Sequence, residues 1–209
     1  MCVFTLHQAR SWINLTAASV ASNASLLSDL DSAIGDGDHG ANMHRGFDAV
    51  VKKLDAVQIG DLGALFKTVG MTLLSSIGGA AGPLYGGFFL ALAKQSAGKM
   101  ELDVTAVAAL LDAGFFDIEK RGKAQLGDKT MVDALAPAIT AFRSAGCDLK
   151  AATAAAAIAA RNAATETAPL IAHKGRASYL GERSIGHQDP GANSCALLME
   201  ALAVACSEV

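Results

Sequence analysis

Three aspartates, Asp31, Asp36 and Asp38, fall within eight residues of one another, among glycines and just ahead of a helical apolar pattern. Carboxylate oxygens are the ligands that hard divalent cations prefer, and Mg2+ usually shares its shell between carboxylates and substrate phosphates. Without a cation the three charges repel one another and any incoming anion. A solvated acidic turn and a calcium loop are the other readings. The calcium loop fails on spacing, because Gly40 stands at its third ligand position and Phe47 where a bidentate Glu is required. The run from Gly35 to Gly40 also fits GxGxxG, but no strand precedes it and its acids would oppose a bare pyrophosphate. Gly122 to Thr130 resembles a P-loop with one residue too many, again without the strand.

The elements that must position these residues are helical. Thr5 and Gln8 form a capping-box pattern, and Trp12, Ile13, Val20 and Leu27 continue one helical face. Further apolar stripes at helical spacing run from Met43 to Leu54, from Leu62 to Leu73, from Leu84 to Leu92 and from Val104 to Ile118. Pro83 suits a first helical position for the fourth helix. A sixth stripe follows Thr130, an alanine-rich seventh helix runs from Asp148 to about Ile171, and an eighth helix follows Gly191. No strand-like alternation of any length is present. The pattern predicts an all-α, eight-helix antiparallel up-and-down barrel or bundle, with residues 1–209 forming one domain.

Four glycine-rich loops, Gly35 to Gly40, Gly78 to Gly82, Gly122 to Gly127 and Gly186 to Gly191, precede the second, fourth, sixth and eighth helices. If the helices alternate in direction, all four loops and four helix N-termini share one end. Unpaired N–H groups and the positive end of the helix dipole make such termini anion sites. For any single loop, turns and caps explain the glycines equally well. Four together point to a phosphate-bearing ligand at one end.

Composition narrows the function. Over half the residues are apolar but only 5% are aromatic, with alanine, the strongest helix former, supplying much of the difference. A net charge of −3 argues against a nucleic-acid or anionic-membrane surface. No segment reads as transmembrane or as a signal peptide. Cys2, Cys147, Cys195 and Cys206 form no CxxC pair and are expected to be buried free thiols in a reducing cytoplasm. Trp12 and Tyr85 read as packing residues, and Lys129 as a solvated side chain rather than a phosphate clamp. His187 reads either as turn chemistry before Asp189 or as part of a site.

The runs GDGDHGANMHRGF (Gly35 to Phe47), GGAAGPLYGGFF (Gly78 to Phe89), GDKTMVDALAPA (Gly127 to Ala138) and KGRASYLGERSIGHQDPGA (Lys174 to Ala192) together resemble the dihydroxyacetone kinase L-subunit family. The resemblance spans essentially the whole chain, in order. It implies an eight-helix barrel with ADP or ATP capping one end. Asp31, Asp36 and Asp38 are the implied catalytic metal ligands, holding two Mg2+ ions that bridge the phosphates. In the same loop and the start of its helix, His39 and Asn42 contact phosphate oxygens, beside Gly40 and Ala41. Gly79, Ala80 and Ala81 offer backbone N–H groups to the terminal phosphates. Gly122, Thr130 and Met131 border the nucleoside, and Arg176 with the turn Asp189, Pro190 and Gly191 closes the pocket. Where this chain has Ala80 or Ala81 the family commonly carries serine, so one hydroxyl donor is lost and backbone donors remain.

No second polar site for a sugar is evident. The resemblance supplies it on a separate K subunit, which holds the ketose covalently. Either ATP exchanges, or ADP stays bound and is rephosphorylated by a phosphotransferase-system protein. A related kinase subunit for erythrulose or another small sugar, and a non-catalytic nucleotide sensor that binds a regulator, are the competing readings.

Overall fold

A computed structural model describes residues 3–207. Among these residues lie nine α-helices, one 3-10 helix and two two-residue strands. The helices are α1 (Leu6–Ser22), α2 (Ala24–Ile34), α3 (His39–Asp55), α4 (Leu62–Ser76), α5 (Ala81–Gln95), α6 (Val104–Gly122), α7 (Met131–Ser144), α8 (Leu149–Glu166) and α9 (Pro190–Ser207). The 3-10 helix is Arg176–Ser184, and the strands are β1 (Phe4–Thr5) and β2 (Glu101–Leu102).

The all-α expectation holds, but the first predicted helix is two. It breaks at Asn23, whose side-chain amide and backbone N–H both turn back onto the Ser19 carbonyl. Asparagine competes with the helical ladder in this way. The alanine helix stops at Glu166 rather than near Ile171. The Thr167 hydroxyl takes the Ala164 carbonyl, and Pro169 follows, which disfavours helix at the residue before it. Pro83 occupies the third position of α5, while Pro190 opens α9, the position proline tolerates best. The capping box at Thr5 and Gln8 forms as predicted.

Helices pack in chain order from α2 to α9, and α9 returns to α1 and α2, closing a ring. Trp12 is buried in the core, edge-on to Phe4 and Phe66 and tilted against Phe89, with its indole N–H donating to the Leu198 carbonyl. β1 pairs antiparallel with β2 (Phe4 with Leu102), and the Leu62 N–H donates to the Lys99 carbonyl. These bonds tie together the starts of α1, α4 and α6. The starts of α3, α5, α7 and α9, with the glycine-rich loops, gather around one cleft instead. No described helix is long and apolar enough to cross a membrane. Cys195 and Cys206 are buried free thiols as expected, Cys147 is exposed, against expectation, and Cys2 lies outside the described residues. Cys147 falls in the α7–α8 connection, where the backbone must stay in water.

Candidate metal and nucleotide site

The site is built on the junction between α2 and α3. Asp31 lies in the last turn of α2 and is buried. Its Oδ2 accepts from the backbone N–H of Asp38 at 2.9 Å and of His39 at 3.1 Å. Asp31 therefore does the capping of α3 from seven residues away. Asp38 occupies the cap position itself, yet its side chain accepts no backbone N–H. Its carboxylate is left for another partner.

One oxygen from each of Asp31, Asp36 and Asp38 lies within 4.8 Å of the others. Arg176 forms an ion pair with this cluster, its Nη2 2.8 Å from Asp36 Oδ2. Both partners are well solvated, so this pair adds little stability. Three hard oxygen donors converging with one exposed guanidinium fit a Mg2+ site. Gly35 makes the convergence possible: a Cβ there would meet Asp31 Oδ1 at 2.1 Å.

The four gathered N-termini are not equivalent. The Asp31 carboxylate covers the start of α3. Thr130 and Asp133 form a capping box at α7, with Asp133 also accepting from the Gly127 N–H. At α9, Asp189 Oδ2 accepts from the Ala192 N–H at 2.6 Å. α5 alone of the four has no side-chain cap. Its leading residues Gly78, Gly79, Ala80 and Ala81 line the cleft, with Gly79 at φ +64°. Beside them stands Asn42, whose Oδ1 accepts from Arg45 Nη2 at 2.5 Å while Arg45 Nε donates to the Ser76 carbonyl. Arg45 thus fixes the amide so that its NH2 is the group left to donate. Sequence reasoning missed Arg45, although its spacing of three from Asn42 on a helix is the signal.

His39 is held from behind. Its Nε2 is 2.9 Å from Ser194 Oγ, which is 2.7 Å from the Tyr85 hydroxyl and 3.0 Å from the Gly191 carbonyl. Burial lowers the imidazole pKa, partly offset by Asp31 and Asp38. Burial also raises Tyr85 well above the usual phenol range and pushes Cys195 up to about 12. Tyr85 is therefore more than a packing residue. Ser194 could not have been found by spacing, since it lies 155 residues from His39.

An open cleft of about 700 Å3 holds Asp31, Asp36, Asp38, His39, Asn42, Gly79, Ala80, Ala81, Arg176, Asp189 and Pro190 on its walls. A recess of about 240 Å3 leads off it, sharing His39, Ala80, Ala81, Asp189 and Pro190. The recess is walled by Leu84, Ile118, Ala124 and Val132, together with the predicted Gly122, Thr130, Met131 and Gly191. A polar cleft opening into an apolar slot suits a ligand with a charged end and a flat apolar end.

Two expected ligand contacts, Gly40 and Ala41, line neither cavity. A Cβ at Gly40 would meet the Ala24 carbonyl oxygen at 1.9 Å, so this glycine serves the close crossing of α3 on α2. Ala41 is exposed. His187 is also exposed and lies on neither wall. Lys129, expected in solvent, is buried. Burial lowers its pKa, and Asp189 partly opposes this. Burial raises the Asp189 carboxyl to about 7, opposed chiefly by the Ala192 N–H.

The DAK2 domain model matches residues 33–204. The ADP-binding subunit DhaL of the PEP-dependent dihydroxyacetone kinase of Escherichia coli K12 is 43% identical over 201 residues, covering 95% of this chain and 96% of that one. The corresponding subunit of dihydroxyacetone kinase 1 of Listeria innocua is 47% identical over 191 residues, covering 91% and 92%. Among solved structures, the dihydroxyacetone kinase of C. freundii in complex with AMP-PNP and Mg2+ superposes with a TM-score of 0.69 at 29% identity over 92% of this chain. The present chain spans 33% of that longer one. With the family model matching most of its length, the chain belongs to the DAK2-domain family.

Proposed function

We propose that the chain is the nucleotide-carrying subunit of a dihydroxyacetone-type kinase, working in the cytoplasm as a single domain over residues 1–209. The observation that carries this reading is the convergence of Asp31, Asp36 and Asp38 beside the uncapped N-terminus of α5. Relatives named as ADP-binding subunits of dihydroxyacetone kinases support it.

Asp31, Asp36 and Asp38 would hold Mg2+, with two ions our reading of the count. Bound there, the metal supplies neutralisation of charge on the phosphate oxygens, the main demand of phosphoryl transfer. The chain's own residues do the positioning. Asp31 fixes the loop through two backbone N–H groups. The α5 N–H groups and the Asn42 amide point donors at an anion in the cleft, and His39 is steadied by Ser194. The apolar recess takes the nucleoside, and Arg176 stands over the phosphate end.

On this reading Asp31, Asp36, Asp38, His39, Asn42 and Arg176 of the cleft are taken up by metal and phosphate. The acceptor ketose therefore sits on a partner K subunit that docks at this end, which also keeps water away from the transferring phosphate. ADP stays in place and is recharged by a phosphotransferase-system protein.

Native mass spectrometry of the freshly purified chain should show retained ADP and count the magnesium ions. The chain alone should phosphorylate dihydroxyacetone no faster than background, and a K subunit should restore transfer. Robust ketose phosphorylation by the chain with no K subunit detectable would overturn the reading.

A further inference from the structure

Lys129 is the one fully buried lysine among the described residues, with 1% of its surface exposed. Its backbone is left-handed, at φ +61°, a conformation that non-glycine residues adopt at some cost. Among the described residues no carboxylate lies within ion-pair distance of its ammonium. Instead Nζ donates to three backbone carbonyls, Ser184 at 2.5 Å, Leu170 at 3.0 Å and Ala168 at 3.4 Å. An ammonium has three donors and no acceptor, so the cage saturates it. A ring of backbone carbonyls is also the ligand set that suits a bare monovalent cation.

The three carbonyls belong to both ends of one excursion of the chain, residues 168–186, which leaves the end of α8 and returns toward α9. That excursion carries Arg176 over the cleft, in contact with Asp36. Its base is closed by Gly186 N–H to the Ala168 carbonyl, Ala172 N–H to Ser184 Oγ, and His173 N–H to the Asp128 carbonyl. The last bond ties it to the residue preceding Lys129. On the other side of Lys129, Thr130 and Met131 line the apolar recess.

We propose that Lys129 is a positioning residue whose ammonium acts as a built-in monovalent cation, pinning the 168–186 segment to the loop before α7 and so holding Arg176 over a bound nucleotide. The last clause rests on the nucleotide reading of the cleft; the pin itself does not.

The test uses the full-length chain with Lys129→Met and Lys129→Gly. Glycine accepts the left-handed backbone, so Lys129→Gly removes the side chain without adding strain. In the nucleotide-free protein, the amides of Ala172, His173 and Gly186 should exchange roughly tenfold to a hundredfold faster in both variants. Butylammonium should restore protection to Lys129→Gly, whereas butanol of the same shape should not. With Mg2+ present, dissociation of a fluorescent ADP analogue should quicken in both variants and slow again with butylammonium. Unchanged exchange in Lys129→Met, or equal rescue by butanol, overturns the pin. Altered exchange with unchanged dissociation overturns its link to retention. A wild-type chain that binds no ADP removes the nucleotide reading, while the exchange data still decide the pin.

Discussion

Replacing Gly35 by alanine separates the proposed metal site from the fold. The added Cβ would sit 2.1 Å from Asp31 Oδ1 and 3.0 Å from its Cγ, and real contacts of this kind begin near 3.0 Å. The carboxylate is the part that gives, because the other close atom, the Asp31 carbonyl oxygen at 3.0 Å, belongs to the helix backbone. Moving it strains the bonds from Oδ2 to the N–H groups of Asp38 and His39, each worth about 1.5–3 kcal/mol as a hydrogen bond to a charged group. A displacement of ~1 Å in a positioned group commonly costs about 100-fold in function. Gly35→Ala should therefore weaken binding of Mg2+–ADP by roughly 10- to 100-fold, equivalent to about 1.4–2.7 kcal/mol. Gly35 lies exposed between helices, so the far-ultraviolet circular dichroism should keep its helical form. Calorimetric titration with ADP at fixed Mg2+, alongside circular dichroism, reads both quantities. Affinity within about threefold of wild type would refute the assignment of Asp31 to the metal site.

Asp38→Asn should leave global stability within about 0.5 kcal/mol, because the Asp38 side chain caps nothing, yet abolish tight Mg2+-dependent ADP binding; equal affinities in calorimetry would remove Asp38 from the ligand set. Mg2+ with ADP at about a hundred times Kd should stabilise the chain by about 2.7 kcal/mol, and EDTA should reverse the rise in melting temperature. Asp189 gives a pH signature: its folded carboxyl titrates near 7 against 3.8 in the unfolded chain, so between these values the unfolded chain has released a proton that the folded chain keeps. Stability should fall as pH rises across that window and level off above it, and Asp189→Asn, which keeps an acceptor for the Ala192 N–H, should flatten this part of a denaturation-versus-pH series.

Much of this protein was legible in one dimension. The 3.6-residue spacing of apolar side chains gave the helices, because burying a helix needs only a stripe that repeats along its own length. The three aspartates and the four glycine loops were local patterns, and alternation of helix direction was enough to place the loops at one end. Local chemistry also misled where a competing bond was not weighed, as at Asn23, which broke one predicted helix into two, and at Thr167 with Pro169, which ended another early. What only the tertiary structure decided were contacts between residues far apart in the chain. Ser194 steadies His39 across 155 residues, and the Lys129 ammonium meets carbonyls up to 55 residues away. Gly40 looked like a ligand contact because it sits in the aspartate loop, but the crossing of α3 over α2 makes it a packing residue. A hydrogen bond or a close backbone approach depends on how helices are docked, and docking is set by the whole core at once, so no window of sequence contains it.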